Sequence, residues 1–349
     1  MSMVRYKKVR YIGSKVNLLP VISDFVDSKV DKAISFCDIF SGTGIVARHF
    51  KSKYQIISND IMFFSSALQK AYIENDTIPA FSGLLDEGIF DPVDYLNYSA
   101  IEFVSDPFIL KNYSPFEDCH RMYFSIDNAS RIDYARQKIN SWFDSLLINE
   151  SEYFYLLACL IEAVPFVSNI AGTYGAFLKH WDKRALQNIN LKHLSISPNG
   201  SINKVYNCDS EELIKVISGD ILYIDPPYNG RQYTPNYHVL ETIARYDYPS
   251  ISGVTGMRDY SDQKSNFCQK RKVIESFDQL IKNASFDHIF ISYSSEGLMS
   301  KNEILDILQN YSINDEFDFL EIPYRRYKHT KISSDHELKE YLFYLRKYK

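Results

Sequence analysis

No apolar run in this chain approaches the length of a membrane span, and its opening residues, MSMVRYKKVRYIGSK, carry no apolar signal core. A cytoplasmic protein without membrane association is therefore expected. Cysteine is sparse: Cys37, Cys119, Cys159, Cys208 and Cys268 are scattered, odd in number and form no Cys-x-x-Cys pair. That pattern indicates neither a disulfide framework nor a zinc site, and the thiols are expected to be reduced and buried. Tryptophan is nearly absent, with Trp 2 against Tyr 27 and Phe 23, so tyrosine supplies much of the amphipathic packing and any stacking surface. Positive charge is not in excess either. A formal net charge of −5 argues against a protein that coats nucleic acid non-specifically, while leaving room for a local basic cleft.

What is present suits an ordinary globular chain: 45% hydrophobic and 24% charged over 349 residues, enough for one large α/β core plus an insertion or second domain. The most informative stretch begins with Ile221-Leu222-Tyr223-Ile224, short, β-branched and aromatic as a buried strand is, and it stops at Asp225-Pro226-Pro227-Tyr228. Two successive prolines fix φ, donate no N–H, and send the chain out of the sheet in a stiff direction. Asp225 and the Pro226 carbonyl can accept hydrogen bonds from one amino group, and Tyr228 offers a ring face to a planar base. A strand-ending turn is the competing account, since Asp and Pro are ordinary turn residues.

Upstream, Leu18 to Val30 reads as a helix that follows Gly13 and Lys15; a cation there needs an anionic neighbour to be more than a surface charge. Ile34 to Phe40 reads as a strand, Ser41-Gly42-Thr43-Gly44 as a tight turn and Ile45 to Lys53 as a helix. Such a half-unit lets a nucleotide-like ligand approach the backbone closely. The pattern Phe-x-Gly-x-Gly lacks the third glycine of a dinucleotide fingerprint and the Gly-Lys-Ser/Thr of a P-loop, so a pyrophosphate ligand is not indicated. The next strand, Tyr54 to Asn59, ends in Asp60, about twenty residues on, where an acid can accept from a ribose diol. Capping a helix that starts near Phe63 is its alternative role.

Residues 65 to 200 are largely helical in pattern, clearest over Tyr123 to Leu147 and Glu152 to Val164, and read as an insertion between core segments 1–64 and 201–349. Around Pro198-Asn199-Gly200, the runs Leu191 to Ser197 and Ile202 to Asn207 suit a hairpin. Asp209 follows, placed to bind an adenine amino group or to cap the helix beginning at Glu211. Asn236 to Tyr246 and Gln269 to Lys282 read as helices separated by a long polar loop, Tyr248 to Gln269, a candidate lid or DNA-contacting element. Asp287 to Tyr293, Phe317 to Ile322 and Glu340 to Leu345 read as strands, the last two flanking the basic segment Tyr324 to Lys331, which suits phosphate contacts or a solvated loop.

Taken together these residues resemble the alpha-group, Dam-like adenine-N6 DNA methyltransferases, most closely those of FokI-like restriction-modification systems. The resemblance runs over most of the chain: Arg10 to Lys15 is similar to the first motif, Phe40 to Gly44 to the Phe-x-Gly-x-Gly motif, Asp60 and Asp209 to the two acidic strand ends, and Asp225 to Tyr228 to the catalytic tetrad. Further likeness continues through Arg231-Gln232-Tyr233, Pro235-Asn236-Tyr237-His238, Ile291-Ser292-Tyr293 and Glu340-Tyr341-Leu342. Tyr11 stands where Dam itself has a tryptophan in the first motif.

The resemblance implies a Rossmann-like, seven-stranded, mostly parallel sheet of the class I methyltransferase kind, with an antiparallel last strand and a mainly helical insertion serving target recognition. It implies S-adenosylmethionine as methyl donor, bound by Tyr11, Lys15 (at the methionine carboxylate), Phe40, Gly42, Gly44, Asp60 (ribose) and Asp209 (adenine). It implies Asp225, Pro226, Pro227 and Tyr228 as the catalytic residues and no metal. The implied partners are double-stranded DNA with a specific recognition sequence and a cognate restriction endonuclease. Cytosine-N4 or an adenine in RNA are alternative acceptors, and a partner-dependent DNA-recognition subunit is the alternative of a different class.

Overall fold

The computed structural model describes residues 12–101, 104–323 and 338–347. Tyr11 and the basic segment Tyr324 to Lys331 lie outside the described residues. The chain divides into two compact units, one of Lys15–Ile61, Ser201–Gln232 and Gln263–Lys349, the other of Met1–Ser14, Met62–Gly200 and Tyr233–Asp262.

The first unit is built on a seven-stranded sheet of β1 (Ser35–Asp38), β2 (Gln55–Asn59), β3 (Lys204–Tyr206), β4 (Ser218–Ile224), β5 (Ser285–Ser294), β6 (Phe317–Pro323) and β7 (Lys339–Arg346). Their order is β3-β2-β1-β4-β5-β7-β6. Every pairing from β3 across to β5 is parallel, whereas β7 runs antiparallel to both β5 and β6. The expected mostly parallel sheet with an antiparallel last strand is thus what forms. Strand order reverses at β1 and β4, and ligands of open α/β sheets bind beyond the carboxyl ends of strands at such a switch point.

Central strands of a parallel sheet are covered on both faces, which is why β4 reads as an unbroken apolar run. Leu222 and Ile224 pack with Ile289 and Ile291 of β5, with Phe277, Leu280 and Ile281 of the helix Val273–Asn283, and with Ile304 and Leu308 of the helix Lys301–Tyr311. The helix Leu19–Lys29 buries Leu19, Ile22, Phe25 and Val26, with Phe25 edge-on to Phe290 at 5.8 Å. Burial of each such side chain is worth about 1.5–3 kcal/mol. The helix Lys301–Tyr311 was not among the sequence expectations. Its start carries a capping box in which Ser300 and Glu303 satisfy each other's backbone N–H.

The second unit is mainly helical. Its longest members, Ile126–Asp144 and Glu150–Val167, start at the caps Ser125 and Asn149, whose side chains accept from Asn128 N–H and Glu152 N–H. Phe63 and Phe64, at the start of the helix Phe63–Gln69, donate their N–H groups to Glu241 at 3.0 and 2.9 Å, so Glu241 caps these two donors. The helix Thr234–Arg245 belongs to this unit.

Two expectations need correction. Leu191 to Ser197 is not a hairpin arm: Leu191 exchanges hydrogen bonds with the Asn97 amide at 2.8 and 3.0 Å, and Leu194 N–H donates to the Tyr155 hydroxyl at 3.1 Å. Side chains thus take backbone groups that a strand partner would have taken, and β3 pairs in parallel with β2 instead. The polar stretch Tyr248 to Gln269 is also more structured than a long loop, holding an antiparallel pair, Ile251–Ser252 with Met257–Arg258, and short 3-10 turns at Ser261–Gln263 and Asn266–Cys268. Among the described residues no helix is long and apolar enough to cross a membrane, and no cluster of His, Cys, Asp and Glu is arranged to hold a metal.

Candidate active site

The register of the sheet sets the site. Asp38, at the end of β1, stands opposite Tyr223 of β4, so the chain beyond both strands leaves the sheet at one edge. There β4 runs into Asp225, Pro226 is buried, and Pro227 and Tyr228 are half-buried. The Tyr228 carbonyl accepts from Leu298 N–H at 2.8 Å, and its ring lies edge-on to Tyr293 at 6.3 Å. The tetrad is therefore held at strand end, carbonyl and ring.

Lys15 is 5% exposed, and its ammonium lies 2.9 Å from Asp225 Oδ1 and 2.9 Å from Glu340 Oε1. The anionic neighbour that Lys15 required is thus supplied twice by the protein itself. Burial works against its charge, but Asp225 and Glu340 outweigh burial and raise the Lys15 pKa well above the usual value, so it is a cation. One cation faces two carboxylates, Glu340 buried and Asp225 half-buried. Burial accordingly pushes Asp225 up to about 6, with Lys15 opposing that rise and Glu340 adding to it. Above that pH Asp225 is an ionised acceptor. The Lys15 ammonium also lies 5.9 Å from the centre of the Tyr228 ring.

Beyond β1, Gly42 and Gly44 take φ of 53° and 77°, left-handed conformations that favour glycine. Ser41 N–H donates to the Asn59 carbonyl at 2.9 Å and Gly44 N–H to the Ser41 carbonyl at 2.8 Å, which tightens the turn against the end of β2. Gly42 N–H donates to Asp60 Oδ2 at 2.9 Å. Phe40 is half-buried and edge-on to Phe267 at 5.0 Å. Asp209 accepts from Glu211 N–H at 2.7 Å, capping the helix Ser210–Leu213. The cap reading of Asp209 is therefore realised, and a carboxylate, with about four acceptor sites, retains capacity for a further donor.

Lys15, Phe40, Gly42, Gly44, Asp60, Asp209 and the tetrad Asp225 to Tyr228 all fall in the sheet unit, those from Phe40 onward following β1, β2, β3 and β4. Tyr11 is outside the described residues. The donor set fits S-adenosylmethionine: two carboxylates at successive strand ends for a diol and an exocyclic amine, a half-buried aromatic ring, and a turn of left-handed glycines that lets a ligand approach the backbone.

Several members of the site were missed from sequence. Asp38, 1% exposed, accepts from Ser41 Oγ at 2.9 Å and Ala47 N–H at 3.2 Å, and burial pushes its carboxyl up to about 7. The Asn59 amide donates to the carbonyls of Ile39 and Cys208 at 3.2 and 3.1 Å and accepts from Cys208 N–H at 3.2 Å, knitting three strand ends together. Glu340 was read only as part of a strand. Gln232 exchanges two 2.9 Å bonds with the Ser265 backbone, fixing the chain that leaves the tetrad. The available signal was a polar side chain closing a buried strand, at Asp38 and Asn59.

A model of the D12 class N6 adenine-specific DNA methyltransferases matches residues 11–307. The chain is 53% identical over 340 residues to the type II methyltransferase M.FokI of Planomicrobium okeanokoites, a match covering 97% of this chain and 53% of that protein. It is 43% identical over 340 residues to the modification methylase StsI of Streptococcus sanguinis, covering 97% of this chain and 52% of that one. The chain thus spans about half the length of these two relatives. It is 38% identical over 329 residues to the type II methyltransferase M.NlaIII of Neisseria lactamica, with 93% of each chain covered.

Proposed function

The chain belongs to the D12 class of N6 adenine-specific DNA methyltransferases, and from that membership we propose that it is a site-specific methyltransferase acting on an adenine N6 amino group in double-stranded DNA. S-adenosylmethionine is the methyl donor of this class and, when bound, supplies an electrophilic methyl on a sulfonium. The observation that carries the reading is the half-buried carboxylate of Asp225, just beyond β4 and ion-paired to Lys15, followed at once by Pro226-Pro227-Tyr228.

In this reading Asp60 accepts from the ribose hydroxyls, Asp209 from the cofactor's adenine amino group, and Phe40 packs beside it. Gly42 and Gly44 give the methionyl portion access to backbone N–H groups. Tyr11 completes the cofactor contacts. Tyr228 stacks on an adenine flipped from the duplex, whose unpairing costs a few kcal/mol. Asp225 and the Pro226 carbonyl then accept from the two N–H bonds of the amino group. That turns the nitrogen lone pair out of conjugation with the ring and aims it for in-line attack on the methyl that a bound cofactor would supply; the new N–C bond would replace the methyl–sulfur bond, whose electron pair would stay on the departing thioether, and one N6 proton would be lost to solvent. Positioning and fixed charge do the catalysis, the bond to ionised Asp225 contributing roughly 1.5–3 kcal/mol. The helical stretch within 65–200 serves as the target-recognition region, the enzyme works in the cytoplasm, and a restriction endonuclease of the same sequence specificity is its functional counterpart.

The test is transfer of labelled methyl from S-adenosylmethionine to mixed-sequence DNA, with RNA in parallel, followed by nucleoside identification. N6-methyladenine in DNA, lost in a folded Asp225→Ala variant, is expected. Label in cytosine or in RNA alone would replace the proposed acceptor. Cofactor and DNA binding without transfer would replace the enzyme by a recognition subunit.

A further inference from the structure

Lys15 does not sit against Asp225 alone. Its ammonium is shared at equal 2.9 Å distances with Glu340, a residue 6% exposed on β7. Glu340 is itself fixed, because Ser292 of β5 donates its hydroxyl to Glu340 Oε1 at 2.8 Å. The backbone of Glu340 is locked in register between Ser294 of β5 and Ile322 of β6. Of the two carboxylates, Glu340 is thus anchored in the sheet on both sides, whereas Asp225 sits where the chain has just left β4. A lysine side chain is a flexible stem with a point charge, so where its ammonium rests depends on which anions hold it.

We propose that Glu340 is a positioning residue for the methyl-transfer site, acting through Lys15 to hold the Asp225 carboxylate in its orientation and charge state. The inference rests on the methyltransferase reading for its functional consequence, but the linkage itself is a property of the free protein. Asp225 needs to point one oxygen at the incoming amine while its other oxygen is engaged. With Lys15 held between the two carboxylates, Asp225 Oδ1 is occupied and rotation of the carboxylate is restrained. Glu340 also withholds part of the cation from Asp225. A carboxylate fully neutralised by its own lysine is a weaker acceptor, and one with no cation at all would protonate at working pH.

The charged groups that act on Asp225 are Lys15, from the segment leading into the helix Leu19–Lys29, and Glu340 on β7; Asp225 in turn raises Tyr223 on β4 and Asp38 on β1. The first two predict shifts of opposite sign. Glu340→Gln removes a neighbouring anion and leaves Lys15 wholly to Asp225, so the Asp225 midpoint falls. Lys15→Met leaves Asp225 beside Glu340 without a cation, so its midpoint rises. Each shift is expected to be about one to three pH units, the size a charge at this distance produces. General loosening of the site would hydrate Asp225 and lower the midpoint in both variants. A rise in Lys15→Met is therefore specific to the Lys15–Asp225 ion pair, and Glu340's part is read from Glu340→Gln and Ser292→Ala.

The experiment follows the Asp225 carboxyl by 13C NMR titration in cofactor-free protein labelled at aspartate, the signal being assigned by its loss in Asp225→Asn. The acid limb of kcat/KM for methyl transfer is measured in parallel. Opposite shifts in the two variants are expected. In Glu340→Gln at neutral pH, kcat is expected to fall roughly ten- to hundredfold with S-adenosylmethionine affinity unchanged, the signature of misplacement rather than lost binding. Ser292→Ala, which frees Glu340 without altering charge, should lower kcat in the same way and preserve the midpoint. Unmoved or same-direction midpoints, or a Lys15→Met variant whose only defect is cofactor affinity, would overturn the linkage. If the parent protein transfers no methyl group, the functional reading falls on its own, and an Asp225 midpoint unmoved in Glu340→Gln still overturns the linkage.

Discussion

Gly42 donates its backbone N–H to Asp60 Oδ2 at 2.9 Å, joining the turn after β1 to the residue that follows β2. The acid proposed to take the ribose therefore also holds the glycine turn in shape. Asp60→Ala removes both functions, and affinity for S-adenosylmethionine should weaken roughly 10- to 150-fold, the value of one or more bonds to a charged acceptor. Asp60→Asn keeps an acceptor for Gly42 and should lose less. Isothermal titration of the cofactor into each variant checks the order, and equal losses would separate Asp60 from the turn.

Gly44 carries φ 77° and ψ 17° and stands immediately before the helix Ile45–Phe50. A side chain in that region meets the following carbonyl and costs about 1–2 kcal/mol. Gly44→Ala should lower thermal stability by that order and reduce cofactor affinity further by shifting the turn. A variant that melts like the parent and binds equally would show that the turn tolerates a change of backbone conformation.

These two residues also mark how far the sequence could be read. The short apolar runs that became β1, β2, β4 and β5, the glycine turn between β1 and its helix, and the acids at the strand ends were legible because periodicity and turn chemistry are local. What Asp60 and Lys15 bond to was not, since Gly42 lies 18 residues from Asp60 and Glu340 reaches Lys15 only after β7 has entered the sheet antiparallel to β5. Leu191 to Ser197 failed as a strand for the same reason: its partners are the side chains of Asn97 and Tyr155, which no local rule anticipates. The helix Lys301–Tyr311 is different. Ser300, Glu303, Ile304, Ile307 and Leu308 carried both a capping box and a helical apolar spacing, and that signal was readable.

Asp38 gives the fold a pH dependence. Burial raises its folded pKa from 3.8 to about 7, so between those values the folded state binds more proton than the unfolded state. Stability from this group is then greatest at low pH and declines as pH rises through about 7. Asp225, raised to about 6, acts in the same direction over a lower window. Asp38→Asn removes the titration while keeping an acceptor for Ser41 Oγ and Ala47 N–H. It should stabilise the protein at pH near 8 by an amount on the order of a few kcal/mol, with the advantage shrinking towards pH near 5. Urea unfolding at the two pH values measures this, and a pH-independent difference would remove Asp38 from the account.

Glu241 sets the last test, within the helical unit. Its side chain is fully buried and accepts from Phe63 N–H, Phe64 N–H and Arg245 Nε at 3.0, 2.9 and 2.6 Å. Three donors therefore converge on one carboxylate, and Glu241→Ala would leave two helix-terminal N–H groups and a guanidinium without it. The cost of breaking a buried charged contact is about 3–5 kcal/mol. Glu241→Gln presents a single oxygen and no charge, so its loss should be intermediate. Hydrogen exchange at Phe63 and Phe64 is the direct readout: both amides should exchange faster in Glu241→Ala than in the parent, by more than any change at the helix Glu150–Val167. Unchanged protection at Phe63 and Phe64 would mean that another group can cap that helix, and the stability loss should then be absent as well.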